Sequence, residues 1–154
     1  MPRQSKYNKE EKDNVKSYQY KAAIYIRLSV EDGDKEESNS ITNQRMLLNQ
    51  FLKDNSDIEV YDYYTDDGFS GTTFNRPGFE KLLEDLYEKK FNTVIVKDLS
   101  RLGRNYIEVG NYIEKVFPLY NIRFIAVNDQ IDSIKNPESV NSIIVPFKNL
   151  INDE

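Results

Sequence analysis

Residues 1–19 are polar, alternate Lys with Glu and keep no apolar period, so they predict a mobile arm with order beginning near Tyr20. Ala22-Ala23-Ile24-Tyr25-Ile26-Arg27-Leu28-Ser29 is the first apolar run and reads as a strand. A loop over Glu31 to Asn39 follows, then a helix from about Ser40 to Asn55 with Ile41, Leu48, Phe51 and Leu52 on its apolar face. Glu59 to Thr65 reads as the second strand, and Asp66 to Asn75, rich in Gly, Ser and Thr, as a loop. Pro77 marks a helix start, and Phe79, Leu82, Leu83, Leu86 and Tyr87 form the stripe of an amphipathic helix. Thr93 to Lys97 is a third, buried strand, and Asn105 with Glu108 gives a capping-box-like start to a helix bearing Val109, Ile113, Val116 and Phe117. Ile122 to Val127 is the fourth strand. Past it, Ile143, Ile144, Phe147, Leu150 and Ile151 form an apolar helical face interrupted at Pro146.

Strands alternating with helices over short connections predict an α/β fold, a mainly parallel sheet of four to five strands with helices on both faces. In such sheets the binding crevice lies beyond the carboxyl ends of the strands. Ser29 ends the first strand, Asp66 ends the second, and Ser100, Arg101 and Arg104 follow the third, so polar and cationic residues gather at one edge. Strand alternation puts Arg27 on the same face as Ser29.

The chain has no histidine and no cysteine, which removes the usual base of a serine hydrolase, thiolate metal sites and the commonest zinc ligand. Any metal would have to be held by oxygen. Arginine clamps phosphate with a planar, permanently charged fork, so a serine among arginines points to attack on a phosphodiester. The formal charge of -5 argues at first sight against a nucleic-acid partner. Local clustering outweighs the sum, because most arginines fall at strand ends or loops while the acidic surplus lies at Glu31 to Glu37, around Glu80 to Glu88 and in the last residues. No stretch approaches the ~20 apolar residues of a membrane span, and the N-terminus lacks the apolar run of a signal peptide, so the expected location is the cytoplasm.

Four collinear blocks carry a resemblance: Tyr25-Ile26-Arg27-Leu28-Ser29; Ser40-Ile41-Thr42-Asn43-Gln44; Thr65-Asp66-Asp67-Gly68-Phe69-Ser70-Gly71 with Arg76-Pro77; and Leu99-Ser100-Arg101-Leu102-Gly103-Arg104. From about Tyr20 to Asn128 the chain resembles the catalytic domain of the serine site-specific recombinases, the resolvase/invertase superfamily. It is most similar to the large members that move clostridial-type transposons and integrative elements. The resemblance implies a resolvase-like catalytic domain in which Ser29 attacks DNA, leaves a 5′-phosphoserine linkage and frees a 3′-hydroxyl. Rotation of half of a synaptic tetramer exchanges the strands. It further implies phosphate binding by Arg27, Arg76, Arg101 and Arg104, support from Gln44 and an active-site carboxylate at Asp66, read as an orienting partner for an arginine. No metal or nucleotide cofactor is implied. The implied partner is double-stranded DNA in a bacterial cytoplasm, with a homodimer and homotetramer in the full-length protein and a monomer or weak dimer for this stretch.

The chain departs from the pattern at Ser100, where many small resolvases have aspartate; Asp98 either substitutes for it or faces solvent. Asp85 is read as a helix-surface acid. The expected organisation is an arm over 1–19 and a catalytic domain over 20–154, with the linking helix and DNA-binding domains absent. Two other classes stay open. One is a metal-dependent nuclease or topoisomerase-like domain using Asp66, Asp67 and Asp98. The other is a non-catalytic α/β module, against which stands the lack of a Gly-x-Gly-x-x-Gly or Walker pattern.

Overall fold

The computed structural model describes residues 18–28, 37–66, 76–103 and 105–142, with side chains of the second segment described from residue 41. Ser29, Asp67, Arg104, most of the N-terminal arm, residues 31–36 and 67–75 of the two expected loops and the apolar face from Ile143 lie outside the described residues, while 37–39 of the first expected loop already belong to a helix.

The described elements run β1 (Tyr20–Arg27), α1 (Glu37–Asp54), β2 (Ile58–Asp66), α2 (Pro77–Tyr87), β3 (Thr93–Val96), a 3-10 turn (Leu99–Arg101), α3 (Tyr106–Asn111), a π-helical turn (Tyr112–Val116), α4 (Phe117–Leu119), β4 (Arg123–Ala126) and β5 (Ile131–Asp132). The strands form one sheet in the order β2-β1-β3-β4-β5, parallel except for the β4–β5 pair. The expected α/β architecture is therefore the observed one, and the short antiparallel β5 is its fifth strand.

Burial explains why the strands are written without polar alternation. Ala22 to Ile26 are fully buried because both faces of β1 are covered. Ala22, Ile24 and Ile26 pack with Leu48 of α1 and with Ile58, Ile95 and Ile125, while Ala23 and Tyr25 pack on the other face with Phe79, Leu82 and Leu86 of α2 and Phe117. The β1–β2 register shifts between Ala22 and Ala23, which pair with Val60 and Asp62, so Tyr61 is an extra residue in β2.

Two expectations about α2 are corrected. Tyr87 is 48% exposed rather than part of the apolar stripe. Asp85 is no surface acid: it is 4% exposed, accepts the Tyr64 hydroxyl at 2.6 Å and lies 3.3 Å from the ammonium groups of Lys81 and Lys90. Burial raises its pKa, but those hydrogen bonds prevail and hold it below the usual carboxylate range. Further on, the helix widens before Pro118. A proline has no N–H for the carbonyl four residues back, and the Phe117 N–H reaches the Tyr112 carbonyl instead.

Candidate active site

The chain leaves β1 for β2 on one side and later enters β3 on the other, so the connections diverge between the carboxyl ends of β1 and β3. A topological switch point of this kind opens a crevice. Arg27 closes β1 there, and the 3-10 turn carrying Arg101 follows β3.

The two arginines hold each other through backbone. Arg27 Nε donates to the Arg101 carbonyl at 3.3 Å and its Nη2 to the Ser100 carbonyl, while Arg101 Nη1 donates to the Arg27 carbonyl at 2.7 Å. Gln44, 1% exposed on α1, donates its Nε2 to that same Arg27 carbonyl at 3.2 Å. Carbonyl oxygens fix a guanidinium without cancelling its charge, so the arrangement orients cations rather than neutralising them. Burial lowers the Arg27 pKa, and the charges of Arg76 and Arg101 push the same way against Tyr25 and Asp98.

The 3-10 turn is itself anchored. Asp98 accepts the Ser100 N–H at 3.0 Å and the Ser100 hydroxyl, and lies 3.6 Å from Arg101 Nε. Asp129 accepts the Leu99 N–H at 2.7 Å, and the Asn128 N–H donates to the Lys97 carbonyl at 2.8 Å. Asp98 thus faces Arg101, one of the two orientations the sequence left open.

Asp66 ends β2 at the same edge, and its described partners are two backbone amides and a tyrosine hydroxyl. Its Oδ1 accepts the Gly78 N–H at 2.7 Å, and its Oδ2 accepts the Phe79 N–H at 2.9 Å and the Tyr25 hydroxyl at 2.8 Å. These amides belong to the first turn of α2, where helix N–H groups have no internal partner and a negative charge is favoured. Its described hydrogen bonds therefore go to a helix terminus and a tyrosine, at the start of the helix that Arg76 precedes. A Cβ at Gly78 would meet the Thr65 carbonyl oxygen at 2.7 Å, so this approach requires glycine. Burial first, then the hydrogen bond and charge of Asp66, raise the Tyr25 pKa; Tyr25 stays a proton donor to Asp66.

Arg76 lies with its guanidinium carbon 4.2 Å from the Phe79 ring centre and donates from Nη1 to the Leu102 carbonyl at 2.9 Å and from Nη2 to Glu108 at 2.6 Å. Asn105 caps α3 as expected, its side chain accepting the Glu108 N–H at 2.9 Å. The Glu108 carboxylate is committed to Arg76, a partner that cap spacing alone did not reveal. Tyr25 and Glu108 are neighbours of the expected site residues that the sequence did not single out for the site; the Tyr-x-Arg-x-Ser run was the available signal for the first.

The structure brings Arg27, Arg101, Gln44, Arg76 and Asp66 to one sheet edge, and Ser29 follows Arg27 by two residues in sequence. Among the described residues no group of three or more carboxylates suited to a metal is present. The described helices include none long and apolar enough to cross a membrane.

The family described as Resolvase, N terminal domain, matches residues 22–151. Among solved structures, the N-terminal catalytic domain of TP901-1 integrase is similar at TM-score 0.68 and 31% identity, over 86% of this chain and 98% of that one. A resolvase family site-specific recombinase from Streptococcus pneumoniae is similar at TM-score 0.69 and 26% identity, over 88% and 90%. The C-terminal catalytic domain of ISC1926 TnpA, an IS607-like serine recombinase, shares the fold at TM-score 0.57 and 24% identity, over 85% and 84%.

Proposed function

We propose, for a chain that belongs to the resolvase N-terminal domain family of serine recombinases, that Ser29 is the nucleophile of its DNA chemistry. The family makes the chain a recombinase domain acting in site-specific recombination. In the finer reading, the Ser29 oxygen bonds to the phosphorus of a DNA phosphodiester, the bond to the 3′ oxygen breaks, and that oxygen leaves as a 3′-hydroxyl. The serine loses one proton and the departing 3′ oxygen gains one, so the step is proton-neutral overall. After strand exchange the 3′-hydroxyl attacks the phosphoserine ester and restores serine and DNA, so the bond energy is conserved without a nucleotide.

The observation that carries this reading is the convergence of Arg27, Arg101 and Arg76 at the switch point that Ser29 follows. Arg27 and Arg101 clamp the phosphate and meet the charge of its transition state; Arg76 and Arg104 add charge. Gln44 keeps the end of β1 in place, and Asp66 fixes the start of α2. The Asp98–Ser100 pair supplies the carboxylate beside Arg101 that an aspartate at position 100 would otherwise give. Residues 20–154 form the catalytic domain, a monomer or weak dimer by itself, and the full-length protein works on double-stranded DNA as a homodimer and synaptic tetramer in the bacterial cytoplasm. The metal-dependent alternative gains no support, since both Asp66 oxygens accept protein donors and Asp98 is engaged by Ser100 and Arg101.

The test is DNA cleavage by the full-length recombinase on duplexes spanning the ends of its own element, in EDTA, with mass spectrometry of DNA-linked peptides. A Ser29 adduct that survives the chelator and is absent from Ser29→Ala is the expected result. Cleavage that needs magnesium and leaves no adduct overturns the reading.

A further inference from the structure

We propose that Glu108 is the positioning residue for Arg76, holding its guanidinium in the orientation that receives phosphate. This rests on the reading of Arg76 as a phosphate-binding group. Arg76 precedes α2, and a long side chain at such a junction has many rotamers to lose. Three contacts fix it: the Leu102 carbonyl on Nη1, Glu108 on Nη2 and the Phe79 ring beneath its plane. Of these, Glu108 alone brings a charge, and the two side chains are only 11% and 21% exposed, so the bond is sheltered from water.

The approach of Glu108 is prepared by its surroundings. Asn105 holds the Glu108 N–H at 2.9 Å and sets the first turn of α3. A Cβ at residue 103 would lie 3.2 Å from both Cγ and Cδ of Glu108, so Gly103 clears the path along which that side chain crosses to Arg76. Tyr112, one turn on from Glu108, packs edge-to-face on Phe79 at 5.2 Å and backs the ring on which Arg76 rests. The described contacts use only part of the Arg76 donor set and leave the remainder for an anion.

The test is arginine-selective nitrogen-15 NMR of this chain titrated with inorganic phosphate, in wild type, Glu108→Gln, Glu108→Asp, Arg76→Gln and the Arg76→Gln/Glu108→Gln pair. The Arg76 Nε–H signal is expected to move with phosphate, and Glu108→Gln to raise the apparent Kd read there by about tenfold, the size of a lost charge-assisted bond. Glu108→Asp, which keeps the charge with a shorter reach, falls between them. In the Arg76→Gln background, Glu108→Gln leaves the remaining arginine curves unchanged, because its effect passes through Arg76. Glutamine retains an acceptor oxygen, and the unmoved signal of Arg123 checks that the variants are folded.

An unchanged Arg76 curve in Glu108→Gln overturns the proposal, and a tighter one makes Glu108 a competitor of phosphate instead. Should phosphate move Arg27 and Arg101 but not Arg76 in the wild type, the assignment of Arg76 fails and the proposal with it. Should it move none of the three, the phosphate-binding reading of the whole edge fails.

Discussion

Buried or half-buried arginines stand at both ends of the same sheet, and Arg123 at one end and Arg27 at the other are treated in opposite ways. At the amino edge, Arg123 begins β4 at 2% exposure, gives Asp132 two bonds, Nε to Oδ1 at 3.0 Å and Nη2 to Oδ2 at 2.7 Å, and lies over the Tyr20 ring at 4.4 Å. At the carboxyl edge, Arg27 and Arg101 are held by each other's backbone carbonyls. Burial lowers the pKa of both Arg123 and Arg27, but the bond and charge of Asp132 reverse the direction for Arg123, whereas neighbouring arginines deepen it for Arg27. Arg123, held at both ends of its fork by one carboxylate, is a structural staple. Arg27, packed beside other arginines and steered by carbonyl oxygens, keeps a field that an anion can use.

The comparison breaks most directly at the two arginines themselves. Arg123→Ala leaves Asp132 without its cation inside the protein, so a loss of about 3–5 kcal/mol is expected in denaturant melts. Arg27→Ala leaves carbonyls that water can reach and costs about 1 kcal/mol of stability, yet Ser29–DNA adduct formation in the full-length recombinase falls about 10²–10³-fold. Equal destabilisation by both substitutions, with no separate loss of cleavage, would make the carboxyl-edge arginine another staple.

The Arg123 staple also has a pH signature. Burial raises the Asp132 pKa, but Arg123 and the Lys135 and Ile134 amides outweigh it and hold the carboxyl below its ordinary value. A group depressed by folding contributes stability that is present above its unfolded pKa of about 3.9 and is lost as pH falls through the lower folded value. Asp132→Asn is therefore expected to cost about 1.5–3 kcal/mol near neutrality, with the gap from wild type closing in acid. Melts from neutral pH down to below about pH 4 check this; a gap independent of pH would mean that shape, not charge, holds the amino edge.

The carboxylates show how much of this was legible beforehand. The strands and helices could be read because Ile24, Ile26, Ile95 and Phe124 fall in runs buried on both faces and Phe79, Leu82 and Leu86 recur at helical spacing. Arg27, Asp66 and Arg101 could be placed at one edge because strand order in a parallel sheet brings carboxyl ends together. The roles of the acids could not. Asp66 and Asp85 are each 4% exposed and each accepts a tyrosine hydroxyl, but those tyrosines lie 41 and 21 residues away in sequence. One acid holds the start of α2 beside arginines, the other its last turn beside lysines, and only the tertiary pairing separates them. Tyr87 fits the helical stripe by spacing, yet the packed face is narrower than the stripe and leaves it 48% exposed.

The smallest effect sharpens the comparison from the side of α3. Asn105 accepts the Glu108 N–H, satisfying one of the amides that a helix start leaves unpaired. Asn105→Ala is expected to cost about 1 kcal/mol, the ordinary worth of such a cap, and to lower the midpoint of a thermal melt accordingly. The residue stands between Gly103 and the acid that holds Arg76, so its loss loosens the carboxyl edge and leaves the Arg123 staple untouched. Hydrogen exchange in the variant should rise at Glu108 and Val109 while staying constant along β4. Uniform acceleration over both edges would mean that the cap supports the whole fold rather than one side of the site.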